Sequence, residues 1–260
     1  MTKIITLVSG KGGCGKTTTS INLGIALTYF NKDVTVVDAN LTTPNIGIHL
    51  GVPLVPINLH HVLQNKHSID EAIYLHPSGT KIIPASLSIE DLKNTNPSKL
   101  KSSISDLVGT TDFVLVDGAA GLGNEAISAI KASDEIIIVT NPELPSVSDA
   151  LKTIKVSESL NIPVKGVIIT RVRGNSLEMP LKEIEEMLEK QTLAIIPEDN
   201  AVKEALMKRD AVLITNPKAP VSIAYKKLAA SLTGKRYSEK AIKSKKSLFE
   251  KIFKSFGFFR

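Results

Sequence analysis

The chain has 260 residues, of which 42% are hydrophobic and 22% are charged. That length can bury a substantial core in one or two domains, and the composition excludes collagen, coiled coil and intrinsic disorder as descriptions of the whole chain. Its single cysteine, Cys14, excludes an internal disulfide and a CxxC metal or redox site. A reducing compartment such as the cytoplasm is therefore the expected location.

The net charge of +6 is concentrated at one end of the chain. Residues 235–260 contain nine Lys or Arg and two Glu, a balance of +7, which leaves the first 234 residues at −1. Five of the seven Phe also lie within the last 12 residues. The body is thus nearly neutral, and the basic, Phe-rich tail is predicted to be a separate functional module.

Neither a membrane span nor a secretory signal is expected. The longest stretch without Asp, Glu, Lys or Arg, residues 39–65, is interrupted by prolines and histidines. A spanning helix needs about 20 mainly apolar residues. The N-terminus passes directly into a strand-like run at residues 3–8, without the apolar segment of a secretory signal.

Short apolar runs alternate with helical patterns along the body. Runs that are apolar throughout are typical of strands buried on both faces of a mainly parallel sheet. The predicted strands are 4–8, 34–37, 81–84, 113–116, 135–140, 164–170 and 193–196. The predicted helices are 16–30, 97–108, 123–132, 147–160, 177–190, 199–208 and 219–233, with a further short helix opened by the capping-box spacing of Ser68 and Glu71. The alternation predicts an α/β fold with a single doubly wound, mainly parallel sheet and helices on both faces.

The composition changes near Gly234, and the body shows no internal repeat and no flexible linker. We therefore predict one globular domain over residues 1–233, a basic linker over 234–246 and an amphipathic tail over 247–260.

The segment GKGGCGKT, from Gly10 to Thr17, fits GxxxxGK[ST] between a predicted strand and a predicted helix. Glycines let backbone N–H groups turn towards phosphate oxygens, and the N-terminus of the following helix adds a favourable dipole. Lys16 is expected to neutralise the β- and γ-phosphates, and the Thr17 hydroxyl to bind Mg²⁺. The pattern predicts a site for ATP or ADP with Mg²⁺. The residues predicted to contact the nucleotide here are Gly10, Lys11, Gly12, Gly13, Cys14, Gly15, Lys16, Thr17 and Thr18.

The run FVLVD at residues 113–117 is typical of a Walker B strand that ends at Asp117. A carboxylate at the C-terminal end of a central strand is well placed to hold Mg²⁺. Gly118 and Gly121 predict an adjoining loop that moves with the γ-phosphate. The helix N-terminus beside Cys14 predicts a lowered thiol pKa.

Lys11 lies inside the phosphate loop and gives the pattern KGGxGKT. A lysine there is not needed to wrap phosphates, yet with it the loop resembles that of the deviant Walker A family of ATPases, which includes MinD and ParA. The resemblance implies that Lys11 reaches the phosphates bound by a second copy, so that ATP forms part of a homodimer interface.

The resemblance extends over about residues 1–233 and is closest to the MinD-like members of the family. It is carried by LTTPN at residues 41–45, TNPE at 140–143 and IPED at 196–199. By resemblance, the residues that lie against the adenine are Arg171, Pro197, Glu198 and Asp199.

Residues 38–40 read Asp-Ala-Asn and resemble the DxD element of the family. Asp38 matches the first acid, but Asn40 replaces the second, which generally positions the attacking water. An amide forms hydrogen bonds but cannot accept a full proton, while phosphoryl transfer depends mostly on positioning and charge stabilisation. We therefore expect normal ATP binding with slow hydrolysis. The predicted catalytic residues are Lys11, Lys16, Asp38 and Asn40, and the predicted Mg²⁺ site comprises Thr17, Asp38 and Asp117.

The tail has the pattern of a short basic amphipathic helix. Its apolar side chains fall within an arc of about 140° on a helical wheel. They are Leu248, Phe249, Ile252, Phe253 and Phe256. Such a helix suits an anionic membrane surface, and its position is similar to that of the membrane-targeting sequence of MinD-like proteins. The alternative is a helix that packs on the body or on a protein partner.

Together these features predict an ATP-dependent dimerising switch, peripheral on the inner face of the cell membrane, that positions an unidentified protein partner or regulator. The first alternative is a ParA-like ATPase in which the basic tail holds DNA without sequence preference, since phosphate contacts need Lys or Arg. The second is an ATP-sensing adaptor that does not hydrolyse, which Asn40 leaves open. Recognition of a specific nucleic acid sequence is not expected.

Overall fold

The computed structural model describes residues 1–238 of the chain. Within these residues one sheet contains the strands β1 (Lys3–Ser9), β2 (Val34–Asp38), β3 (Tyr74–Leu75), β4 (Lys81–Ile83), β5 (Phe113–Ala120), β6 (Glu135–Thr140), β7 (Val164–Val172) and β8 (Thr192–Pro197). Their order is β3-β4-β2-β5-β1-β6-β7-β8, and all pairings are parallel except that of β3 with β4. The predicted mainly parallel sheet is confirmed.

Helices cover both faces of the sheet. They are α1 (Lys16–Thr28), α2 (Ile46–His49), α3 (Leu59–Leu63), α4 (Ile89–Lys93), α5 (Leu100–Ser105), α6 (Asn124–Lys131), α7 (Leu144–Ser159), α8 (Leu181–Leu188), α9 (Asn200–Met207), α10 (Val212–Thr215) and α11 (Pro220–Leu232). Single 3-10 turns occur at Asp70–Ala72 and Pro97–Lys99.

Buried residues of β1 alternate between the two faces. Ile5 and Leu7 pack with α1 and α11. Ile4 packs with α5 and α6, and Val8 with α7 and α8. Full burial of such a side chain stabilises a fold by about 1.5–3 kcal/mol, which explains why a mainly apolar run forms a central strand.

The parallel strands bring their carboxyl ends to one edge of the sheet. There, Asp38 of β2 is paired in register with Asp117 of β5, and Leu7 of β1 is paired with Asp117 from the other side. β1 then leads into the glycine-rich loop before α1. Open α/β sheets bind ligands in the crevice at this edge, so the topology places the phosphate loop beside both carboxylates.

The described part of the chain ends at the opposite edge. After α11, the Lys235 ammonium donates a hydrogen bond to the backbone oxygen of Phe30, 2.7 Å away, just beyond the C-terminal end of α1. The predicted linker over 234–246 is described only to residue 238, and the predicted tail lies outside the described residues. Within residues 1–238 no helix is long and apolar enough to cross a membrane.

Several elements differ from their predicted bounds. β5 does not end at Asp117 but continues to Ala120, so Gly118 lies within a strand. A Cβ on Gly118 would stand 3.1 Å from the backbone oxygen of Leu7, so the glycine lets β5 approach β1 closely. Glu71 accepts the Ser68 N–H at 2.8 Å, as a capping box requires, but only one 3-10 turn follows.

Two predicted helices are shorter than expected. The helix predicted over 97–108 is a 3-10 turn followed by α5, which ends at Ser105. The helix predicted over 177–190 begins only at Leu181, because Pro180 precedes it in an extended conformation.

Candidate nucleotide-binding site

The loop between β1 and α1 takes the conformation that its glycines allow. Gly13 and Gly15 have φ values of +82° and +79°, a region that other residues rarely adopt. Gly15 is also the N-cap of α1. Gly10 packs so closely on α7 that a Cβ there would lie 2.5 Å from backbone atoms of Asp149. The loop thus leaves the N-terminus of a 13-residue helix open towards the edge of the sheet.

The side chain of Thr170 in β7 is hydrogen-bonded to this loop. Its hydroxyl lies 2.6 Å from the backbone oxygen of Cys14 and 2.9 Å from the side-chain oxygen of Asn141. Cys14 itself is 2% exposed, and burial raises the pKa of its thiol. The predicted lowering of that pKa is therefore wrong, because loss of water around the thiolate outweighs the nearby positive charges.

Asp117 organises the first turn of α1. Its carboxylate accepts hydrogen bonds from the Lys16 ammonium (2.9 Å), the Thr17 hydroxyl (2.5 Å) and the Ser20 hydroxyl (3.1 Å). Asp117 is fully buried and Lys16 nearly so. The structure thus brings Lys16, Thr17 and Asp117 together, while the phosphate and Mg²⁺ roles predicted for them stay predictions. Ser20 was not predicted, although its position one turn after Lys16 places it on the same face of α1.

Asp38 lies beside this group and holds the loop that follows β2. One oxygen accepts the backbone N–H groups of Asn45 (3.0 Å) and Ile46 (2.9 Å), and the other accepts that of Asn40 at 3.3 Å. Burial, and then repulsion from Asp117, raises the pKa of Asp38 to about 7. The side chain therefore anchors a loop as well as contributing a second buried carboxylate.

The loop over residues 40–45 is folded on itself and tied to α6. The Asn40 side-chain amide donates to the backbone oxygen of Thr43 (2.6 Å), and the Thr43 hydroxyl donates back to the Asn40 side-chain oxygen (3.1 Å). Thr42 donates its backbone N–H (3.2 Å) and its hydroxyl to the carboxylate of Glu125. Sequence reasoning missed Glu125, since no motif marks it.

These elements border a cleft of about 840 Å³. Lys16, Thr17 and Asn40 line it together with Arg171, the second-last residue of β7, which has a φ of +57°. The other lining residues are Ser9, Gly12, Gly13, Gly15, Thr18, Thr42, Thr43, Asn45, His49, Pro97, Ala119, Ala120, Gly123, Asn124, Glu125, Ala126, Val202, Lys203 and Leu206. Asp38 and Asp117 are buried beneath the cleft.

Not every predicted contact residue borders the cleft. Lys11 is exposed and is not among the residues that line the cleft. The backbone N–H of Glu198 donates to Val172 at 2.9 Å, and the Asp199 carboxylate accepts the N–H of Ala201 at 2.9 Å, which caps α9. Pro197 ends β8. The adenine contact predicted for these three residues stays a prediction.

Comparison with known proteins gives a consistent result. The CobQ/CobB/MinD/ParA nucleotide binding domain matches residues 5–212. An uncharacterized ATP-binding protein of Methanocaldococcus jannaschii is 37% identical over 250 residues, covering 96% of this chain and 95% of that protein. The septum site-determining protein MinD of Bacillus subtilis is 29% identical over 274 residues, covering 99% of both. The MinD structure from Pyrococcus horikoshii, complexed with Mg-ADP, superposes with a TM-score of 0.86 at 35% identity, covering 89% of this chain and 96% of that one.

Proposed function

Because the chain belongs to the CobQ/CobB/MinD/ParA family of nucleotide-binding domains, we propose that it is an ATP-dependent switch. It binds Mg-ATP, pairs with a second copy across the nucleotide and hydrolyses ATP slowly. Its tail associates with the membrane and brings a protein partner there. The observation that carries this proposal is the group formed by Lys16, Thr17 and Asp117 beneath an open phosphate loop that also presents Lys11.

The residues of the site fit a magnesium nucleotide. Asp38 and Asp117 are adjacent buried carboxylates, and their mutual repulsion contributes to the raised pKa of Asp38. A divalent cation relieves that repulsion, and carboxylate and hydroxyl oxygens are its preferred ligands. Thr17 and Asp117 would hold Mg²⁺, with Asp38 behind them. The ion supplies neutralisation of phosphate charge, and Lys16 shares that role from the first turn of α1.

Hydrolysis in this proposal depends on positioning. Lys16 stabilises charge on the phosphates, and Asn40 orients water through its amide without accepting a full proton. The amide of Asn40 is bound within its own loop, to Thr43. Both features favour slow hydrolysis of ATP. Members of the family are ATPases, and in this chain Asn40 replaces the second acid of the DxD element.

Dimerisation is proposed to use Lys11. Lys11 is exposed, so a second copy can reach it. In size-exclusion chromatography with light scattering, the wild-type chain is expected to elute as a dimer with a slowly hydrolysed ATP analogue and as a monomer with ADP. Lys11→Ala should stay monomeric and still bind the analogue, whereas Lys131→Ala, an exposed lysine on α6, should dimerise. A wild-type chain that remains monomeric with the analogue bound would refute the proposal.

Membrane association is proposed for the tail. Burying five large apolar side chains contributes at most about 1.5–3 kcal/mol each, and each nearby Lys about 1 kcal/mol. Ordering the segment costs about 1–2 kcal/mol per residue for the backbone. One tail therefore binds marginally, while two tails on a dimer gain about 10²–10⁴-fold by avidity.

Co-pelleting with anionic vesicles tests this part of the proposal. The full-length chain should pellet with an ATP analogue and stay in the supernatant with ADP. Replacing Phe249 and Phe253 by Ser should abolish pelleting without affecting dimerisation. Equal pelleting of the ADP and ATP forms would contradict ATP control of membrane binding.

A second candidate function is supported by the balance of +7 over residues 235–260. A ParA-like ATPase would use these cations to hold DNA without sequence preference, and its affinity would fall steeply with salt. Salt titrations on duplex DNA and on anionic vesicles separate the two candidates. The wide apolar face that the sequence predicts for the tail favours lipid.

A further inference from the structure

Glu125 is the one acidic side chain among the described residues that border the cleft. It lies in the first turn of α6, just after the loop that follows β5. The other charged side chains that border the cleft are Lys16, Arg171 and Lys203, all of them basic. A carboxylate that faces a site for polyphosphate repels the negative charge of the phosphates. Its place at the cleft therefore calls for a specific role.

The contacts of Glu125 indicate such a task. Both carboxylate oxygens accept hydrogen bonds from Thr42, one from the backbone N–H at 3.2 Å and the other from the hydroxyl. Two bonds from one residue to one carboxylate restrict distance and orientation together. Glu125 therefore fixes Thr42, two positions after Asn40, against the start of α6.

The loop over residues 40–45 thus has two anchors of different character. The inner anchor is Asp38, which is completely buried and accepts the N–H groups of Asn45 and Ile46. The outer anchor is Glu125, whose bonds to Thr42 are open to solvent. Water competes for the hydrogen bonds of the exposed anchor but cannot reach those of the buried one. The bonds of Glu125 therefore break and re-form more readily than those of Asp38.

Asn40 lies between these anchors. Its backbone N–H contacts Asp38 at 3.3 Å, and its side chain is bound to Thr43 within the loop. Asn40 forms no hydrogen bond to α6 among the described residues, so the hydrogen bonds between the loop and α6 are those of Thr42 to Glu125. The direction in which the Asn40 amide faces the cleft therefore depends on Glu125.

We propose that Glu125 is a positioning residue for nucleotide hydrolysis. It holds the 40–45 loop through Thr42 and so presents the Asn40 amide to the cleft. The proposal rests on the proposed ATPase function and concerns the same site. A carboxylate does occur at the cleft of this chain, but it holds the loop instead of occupying position 40.

Steady-state ATP hydrolysis by full-length variants tests the role. Glu125→Ala should lower kcat about tenfold and leave KM for ATP within about twofold, because the loss is in orientation and not in binding. Glu125→Gln keeps an accepting oxygen and should stay within about threefold of wild type. Thr42→Val should lower kcat about threefold, and the double variant should be no worse than Glu125→Ala alone, since both changes break the same contact. Glu186→Ala, an exposed glutamate on α8, is the matched control.

Hydrogen exchange gives a second readout that needs no hydrolysis. In the nucleotide-free protein, the Thr42 amide should exchange about tenfold faster in Glu125→Ala than in wild type, and equally in Glu186→Ala. Unchanged exchange, or a loss of activity confined to KM, would overturn the proposal. So would a Glu125→Gln variant as inactive as Glu125→Ala with an intact Thr42 bond, because the carboxylate would then act as a charge. A wild-type chain that binds ATP without hydrolysing it would overturn the proposed function instead, and the hydrolytic role of Glu125 with it.

Discussion

Asp38→Asn is expected to stabilise the nucleotide-free protein although it alters the centre of the site. The Asp38 side chain is fully buried, and burial followed by repulsion from Asp117 raises its pKa from 3.8 to about 7. Asn has nearly the same shape, and its amide oxygen can still accept the N–H groups of Asn45 and Ile46. The substitution therefore removes the buried charge and keeps the inner anchor of the loop.

The sign and size of the effect follow from the raised pKa. Because folded Asp38 binds a proton more tightly than the unfolded chain does, the free energy of unfolding falls as pH rises from about 4 to about 7. The difference between 3.8 and about 7 corresponds to about 4 kcal/mol at about pH 8. Asn has only one accepting oxygen, so the 3.3 Å hydrogen bond from the Asn40 N–H is lost. This loss offsets part of the stabilisation. We expect a net gain of about 2–3 kcal/mol at about pH 8 and of about 1 kcal/mol or less at about pH 5.

Urea unfolding at these two pH values measures the gain, with a chelator present and without nucleotide. Asp106→Asn, a change of the same chemistry at the exposed C-cap that follows α5, should leave the stability difference independent of pH. A variant less stable than wild type at the higher pH, or a difference that does not grow with pH, would refute the reasoning.

Three further substitutions test other contacts. Asn40→Asp should speed single-turnover hydrolysis about tenfold by restoring an acid at the position of the water, and an equal or slower rate would contradict this. Gly10→Ala places a Cβ 2.5 Å from backbone atoms of Asp149. It should weaken ATP binding about tenfold in a fluorescent-nucleotide titration, because the loop must shift, and unchanged affinity would show that it need not. Tyr225→Phe removes the 3.1 Å hydrogen bond to the Thr19 hydroxyl. It should lower the free energy of unfolding by about 1 kcal/mol in urea, and an unchanged midpoint would mean that water replaces the phenol.

The central strands could be predicted because burial on both faces leaves an unbroken apolar run. β6 has the predicted bounds, 135–140. β3 could not be predicted, since the two residues Tyr74–Leu75 are too few for a pattern. The helices α2, α3, α4 and α10 have four or five residues each, little more than one turn, so that 3.6-residue periodicity cannot develop in them.

The part of the site that is formed by sequence motifs could be predicted. Lys16, Thr17 and Asp117 meet because the glycine-rich loop and the Walker B strand end at the same edge of a parallel sheet. The contact of Thr42 with Glu125 joins residues 83 positions apart, and nothing local in the sequence marks it. The family resemblance is confirmed, while the roles assigned to single residues by resemblance stay predictions.

Asp199 illustrates a residue with two competing interpretations. Resemblance assigns it to the adenine, but in the structure its carboxylate caps α9. An Asp directly before a helical pattern is a common N-cap, so this role was also visible in the sequence. Family resemblance and local helix chemistry can thus point to different uses of one side chain.

The hydrogen bond from Lys235 to Phe30 holds the last described residues beside the C-terminal end of α1. Helix α1, with 13 residues, separates this point from the phosphate loop by about 20 Å. The nucleotide site and the last described residues therefore lie at opposite ends of α1. In the proposed dimer, one particle carries two tails, so the number of tails would change with pairing and without a change of shape in either body. If the proposed function holds, membrane affinity depends on how many chains are paired, and it requires no bend inside one molecule.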